Sequence, residues 1–287
     1  MSVFSGVVGQ AAAIAALQGQ LARTGGAGAT LIMGPEGVGR FLLARKAAEA
    51  ILLAPALVDA GRHPDLSVLD ASAGIDGVRA ASIALQRRPA MAARQVLIVR
   101  DADRLSIEAH NALLKLLEEP PAGAAVFVVA ADTTLLPETV VSRCRLVRAH
   151  ALSDKETARV LEEIGVPADA SEDAEGSPGR ACFHREASVP ADAARLLALL
   201  EKPRPDALAE AEALARRRPK EESAAHRRRL QEVLRVAAAR LRRRLPESES
   251  ALRSVVDALR SLTANANAAI VLADLALIPW QRKRPEI

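Results

Sequence analysis

Eight residues, Gly34-Pro35-Glu36-Gly37-Val38-Gly39-Arg40-Phe41, keep the spacing of a phosphate-binding loop but only part of its chemistry. A loop of the form G-x-x-x-x-G-K-[ST] closes backbone amides around phosphates, sets a lysine charge on the β and γ oxygens and offers Mg²⁺ a hydroxyl. Gly34, Gly37 and Gly39 retain the backbone part. Arg40 stands where the lysine belongs, and a planar guanidinium does not simply replace a compact ammonium. Phe41 stands where the hydroxyl belongs and cannot ligand a metal. The expected outcome is a tight strand-to-helix turn in which ATP or ADP is at most a residual guest and no cofactor is required. Productive Mg-ATP binding is the alternative.

Other chemistry-bearing residues are sparse. Asp101 and Asp103 follow an apolar run, Ser142-Arg143-Cys144 follows Leu136-Pro137, and Arg180 closes Gly176-Ser177-Pro178-Gly179-Arg180. Cys144 and Cys182 are the only cysteines, which leaves no disulfide framework and no four-cysteine zinc site. His63 lies in a His63-Pro64-Asp65 turn and reads as structural. Cys182 and His184, two apart with no further suitably spaced ligands, read as packing residues, so no metal is expected.

The elements that must position these groups follow from pattern. A short strand at 30–33 leads into the glycine loop, and a helix follows to about residue 53. Further strands are expected at 66–69, 95–99, 126–130 and 146–149, with a helix at 75–88. The run at 124–131 is continuously apolar, as in a strand buried on both faces of a parallel sheet. Before it, Ser106 is placed to cap a helix with Glu108 in its first turn. Ala109, Leu113, Leu116 and Leu117 make one helical face, and Pro120-Pro121 stop it. Ser153-Asp154-Lys155-Glu156 is a capping box opening a helix to about residue 164. Beyond Pro190 only helical periods remain, at 191–201, 205–217, 221–245, 248–263 and 265–277, jointed at Pro203, Pro219 and Pro246.

The chain has 287 residues, 50% of them hydrophobic and 26% charged, which suits a globular protein of two or three domains. No stretch has the length and apolarity of a membrane span, and no signal peptide is evident at MSVFSGVVGQ, so a cytoplasmic location is expected. From Glu201 onward 19 Lys and Arg face 12 Asp and Glu. Arginine runs at 216–218, 227–229 and 242–244 read first as solvated helix faces, with a basic surface toward DNA as the other reading. Tyrosine is absent and aromatics are few, which argues against base-stacking platforms.

Taken together, Asn111-Ala112-Leu113-Leu114-Lys115, Leu117-Glu118-Glu119-Pro120-Pro121 and Ser142-Arg143-Cys144 resemble the AAA+ subunits of the bacterial DNA polymerase III clamp loader. The resemblance implies an α/β fold in three parts. These are an AAA+ P-loop-like parallel-sheet domain at 1–150, a small helical lid at 151–189 and an all-α collar at 190–287. By the same resemblance Arg100 falls at the position of the metal-anchoring Asp, Asp101 at that of the water-activating Glu, and Ala130 and Ala131 at that of a polar sensor. The four-cysteine zinc module of family ATPases is missing. Arg143 matches the arginine finger, which serves the γ-phosphate held by a neighbouring subunit, and Arg180 matches a second sensor. An eroded site in cis with an intact arginine in trans fits, by that resemblance, a subunit of the family that does not hydrolyse ATP itself. That reading implies tau/gamma-type ATPase subunits and the delta subunit as partners, with transient contact to sliding clamp and primed DNA and none to membrane. An active AAA+ ATPase and a free-standing basic DNA-binding protein are the alternatives.

Overall fold

The computed structural model describes residues 3–167 and 173–281. They divide into two compact units, one holding the described residues to Ile164 with Glu175–Gly179, the other holding the rest.

The first unit is a five-stranded sheet, all parallel, in the order β2-β3-β4-β1-β5. The strands are β1 (Gly28–Met33), β2 (Leu66–Leu69), β3 (Val96–Val99), β4 (Ala125–Ala130) and β5 (Arg145–Arg148). β1 lies between β4 and β5, with Thr30 opposite both Phe127 and Arg145. β4 is buried along its whole length, and its alternation divides the core in two. Ala125, Phe127 and Val129 pack with α1 (Ala11–Thr24) and α2 (Arg40–Leu52). Val126, Val128 and Ala130 pack with α4 (Gly74–Leu85) and α5 (Ile107–Glu118). A short α3 (Pro55–Asp59) follows α2. This doubly covered sheet is the architecture expected of a continuously apolar strand, and each fully buried leucine or phenylalanine contributes about 2 kcal/mol.

Local signals act as read. The Ser106 hydroxyl accepts from the Ala109 amide at the start of α5, and Ala109, Leu113, Leu116 and Leu117 are buried. The capping box of Ser153 and Glu156 opens α7 (Asp154–Glu163). α4 ends three residues earlier than its periodicity suggests, because Pro89 disfavours helical backbone at Arg88. α6 (Glu138–Val141) is a single turn between β4 and β5.

In the second unit, α8 (Pro178–Glu186, from Arg180 on) leads to α9 (Val189–Glu201), α10 (Ala207–Ala215), α11 (Ser223–Arg242), α12 (Glu249–Thr263) and α13 (Ala268–Gln281). These helices share one apolar core that includes Leu196, Leu199, Leu230, Leu234, Val255 and Leu272. The arginine runs are not simply solvated faces. Arg229 is only 2% exposed; it pairs with Asp192 at 2.9 Å and Glu221 at 2.9 Å, and donates to the Arg216 carbonyl. Its neighbour Arg228 lies over the Phe183 ring at 4.3 Å, and Arg227 donates to the Leu262 carbonyl. The basic residues at 282–284 lie outside the described residues.

Candidate functional site

β1 delivers the chain into the glycine loop, and α2 begins at Arg40. Gly34 has φ +151°, and a Cβ there would sit 2.1 Å from the Ala149 carbonyl oxygen, so no larger residue fits. Gly37 and Gly39 also have positive φ, +76° and +98°. Three consecutive loop carbonyls are held from elsewhere in the unit. Glu36 O accepts from Ser177 Oγ at 2.6 Å, Gly37 O from the Gly179 amide at 3.0 Å, and Val38 O from Gln10 Nε2 at 3.2 Å. Gln10 also exchanges hydrogen bonds with both backbone groups of His150, tying the loop to the chain just past β5. The Glu36 carboxylate pairs with Arg104.

Arg40, first residue of α2, is 6% exposed, and its Nη1 has no hydrogen-bond partner. Burial lowers its pKa, while the charges of Asp103, Asp101 and Glu36 oppose that shift. An arginine keeps its proton through such a shift, so the loop carries a buried cation balanced at a distance by three carboxylates. The next residue, Phe41, has the Arg100 guanidinium over its ring at 4.6 Å. Arg100 directly follows β3. Two positions that the motif and the family resemblance align with a hydroxyl and a carboxylate for Mg²⁺ thus hold a cation–π pair. Neither side chain has an oxygen, one is itself cationic, and the pair does not fit a divalent metal.

Asp101 adopts left-handed backbone, φ +48°, at the turn after β3. Asp103 accepts from the Ala131 amide at 3.2 Å, bracing the chain just past β4. Both serve the turn, as their sequence setting suggests. His63 Nδ1 accepts from the Asp65 amide, and the Asp65 carboxylate accepts from the amides of Ala90, Met91 and Ala92. No group of three or more His, Cys, Asp or Glu among the described residues is arranged to hold a metal.

Arg143 lies beyond the turn of α6. Cys144, beside it, packs into the core under α5, and burial pushes its thiol up to about 11. The Ser142 hydroxyl donates to Thr139 O at 3.1 Å. With both neighbours anchored, Arg143 is left at the surface, its side chain 36% exposed. Its Nη2 meets Glu118 Oε1 at 2.6 Å, and its Nη1 donates to Thr139 O at 3.0 Å.

In the second unit, Arg180 Nε meets Glu232 Oε2 at 3.0 Å, and His184 Nε2 meets the same oxygen at 2.8 Å. His184 therefore belongs to a buried ionic cluster and is more than a packing residue. Burial alone would raise the Glu232 pKa. The His184 hydrogen bond and the charges of Arg180 and Arg235 override it and leave the carboxyl at about 2.

The structure joins residues that sequence reasoning kept apart. Phe41 departs from the glycine-loop motif and Arg100 from a separate position after β3, and the signal that could have linked them is that the family resemblance aligns both with metal-ligand positions. Glu118 and Arg143 sit in two different motifs, and nothing in their spacing announces a contact.

A family model described as DNA polymerase III, delta subunit, matches residues 9–153. The DNA polymerase III subunit tau of Salmonella typhimurium is 30% identical over 176 residues, which is 56% of this chain and 27% of that protein. The DNA polymerase III subunit delta' of Escherichia coli K12 is 39% identical over 95 residues, 31% of this chain and 28% of that one. The chain thus spans about a quarter of the length of the first curated relatives it matches. A solved structure of a DNA polymerase III gamma subunit-related protein from Thermotoga maritima aligns over 94% of this chain and 99% of its own, with TM-score 0.53 at 18% identity, a likeness of fold. Since the matched segment is half of the chain and carries the sheet, the glycine loop and Ser142-Arg143-Cys144, the chain belongs to the DNA polymerase III delta subunit family of clamp-loader proteins.

Proposed function

We propose that the chain is a delta prime-type subunit of a DNA polymerase III clamp loader, hydrolysing no ATP itself and lending Arg143 to the nucleotide of a neighbouring tau/gamma-type subunit. In this role it helps place a sliding clamp on primed DNA during replication in the cytoplasm, beside a delta subunit, and needs neither zinc nor nucleotide of its own. The observation that carries the reading is the Arg100 guanidinium over Phe41. Water attack on a bound triphosphate relies on a metal to gather charge between the phosphates; these two side chains offer a metal no oxygen ligand, and Arg100 adds a positive charge. An arginine offered from outside stabilises the charge that develops on the transferring phosphoryl group. Arg143, held at the surface between two anchored neighbours, has the exposure that such a role demands.

Two measurements test it. The isolated protein is expected to turn over no Mg-ATP above background. An assembly reconstituted with tau/gamma-type and delta subunits is expected to lose DNA- and clamp-stimulated hydrolysis with Arg143→Ala while still assembling. Brisk hydrolysis by the isolated chain, lost with Arg40→Ala, would replace this reading with that of an active ATPase.

A further inference from the structure

Arg143 follows a helix of one turn, and a single turn fixes little by itself. An arginine side chain has many rotamers, and ordering it at the moment of reaction costs entropy. Something outside α6 must therefore hold the guanidinium if it is to arrive oriented.

That support comes from α5. This three-turn helix is capped by Ser106, buries Ala109, Leu113, Leu116 and Leu117, and ends at Glu118 ahead of Pro120 and Pro121. Its last residue is thus fixed by core contacts one and two residues earlier. Glu118 Oε1 lies 2.6 Å from Arg143 Nη2. On the other side Arg143 Nη1 donates to Thr139 O at 3.0 Å, with Ser142 Oγ at 3.4 Å. A carboxylate and a carbonyl from two different helices together hold the plane of the guanidinium. These contacts use at most three of its five N–H groups, leaving at least two for an incoming anion.

We infer that Glu118 is the positioning residue for Arg143: it aims the guanidinium before the neighbouring phosphate is met. The inference rests on reading Arg143 as the finger. It also explains why a motif ending in Leu117-Glu118-Glu119-Pro120-Pro121 accompanies Ser142-Arg143-Cys144 in one chain: the prolines end the helix where Glu118 can reach Arg143. The pair is half-exposed on both sides, 36% and 42%, so it adds little to the stability of the fold. Its contribution is to orientation, and pre-orientation is what allows a charged donor to favour a transition state at little reorganisation cost.

The test uses the reconstituted assembly with Glu118→Ala, Glu118→Gln, Arg143→Ala and the Glu118→Ala/Arg143→Ala double variant. Glu118→Ala is expected to lower kcat for stimulated ATP hydrolysis about five- to tenfold, with KM for ATP within about twofold and an unchanged melting temperature. Glu118→Gln, which keeps an acceptor of the same size, is expected to fall between wild type and Glu118→Ala. The double variant is expected to match Arg143→Ala alone, since Glu118 has nothing left to aim. In the isolated chain, the Arg143 Nε–H signal in NMR is expected to report an ordered side chain that becomes averaged in Glu118→Ala.

Normal kcat in Glu118→Ala alongside a large loss in Arg143→Ala would overturn the positioning role and leave the finger standing. Unchanged turnover in both variants would remove the finger reading and this inference with it. A rise in kcat for Glu118→Ala would make the carboxylate a brake, and additive losses in the double variant would give it a separate task; either result overturns the inference. So would an Arg143 signal already averaged in the wild-type chain.

Discussion

The glycine loop and the segment around Arg143 treat arginine in opposite ways. At the loop, Arg40 is buried among Glu36, Asp101 and Asp103, and Arg100 is spent on the face of Phe41. At the far end of α6, Arg143 is held at the surface by a carboxylate and a carbonyl, with N–H groups to spare. Arg180 belongs with the first group, committed to Glu232 inside the second unit. A count of arginines says nothing about this division. What separates them is whether the guanidinium is taken into the fold or left at the surface with donors to spare.

The contrast can be broken most severely at the loop. Gly34→Ala would drive a Cβ into the Ala149 carbonyl, and backbone cannot yield there as a side chain would. A loss of about 4 kcal/mol or more is expected in denaturant unfolding. At the committed Arg180, Glu232→Gln is expected to cost about 3 kcal/mol by leaving Arg180 and His184 facing a neutral partner. The sign with pH follows from a carboxyl lowered from 4.5 to about 2 in the fold. Its contribution is full above about pH 4.5 and is lost as pH falls toward 2. Acid titration of unfolding should show that loss in the wild type and not in Glu232→Gln.

At the offered arginine the balance reverses. Arg143→Ala should change stability by less than about 0.5 kcal/mol. In the proposed finger role it should nonetheless lower hydrolysis about 100-fold at a neighbouring subunit's nucleotide site, read as stimulated turnover in the assembly. The smallest effect sharpens the comparison at the loop. A double-mutant cycle of Phe41→Ala and Arg100→Ala should return a coupling of about 0.5 to 1 kcal/mol. A coupling of zero would mean that the two residues are neighbours without being partners.

Much of this fold was legible because it is written in local terms. The cap at Ser106, the apolar face of α5, the proline stop and the buried run of β4 each involve residues within a few positions of one another. So was the strand-to-helix turn at the loop, because three glycines stand in one short motif. The sequence could not disclose the pairings that span the chain. Arg100 reaches Phe41, Glu118 reaches Arg143, and Gly179 comes close enough to Gly37 that a Cβ would lie 2.7 Å from its Cα. The arginine triplet at 227–229 makes the point most sharply. Three identical letters take three fates, a carbonyl, an aromatic face and a buried ion pair, because successive helical residues face different neighbours.

The bonds to the carbonyls of residues 36–38 also bear on the order in which the first unit can fold. Their donors come from 28 residues upstream and 141 residues downstream. The turn therefore reaches its final form only after both distant segments have docked, which puts it among the late, non-local events of folding. A fragment cut just after β5 would retain every strand of the sheet yet leave two of those three carbonyls to water.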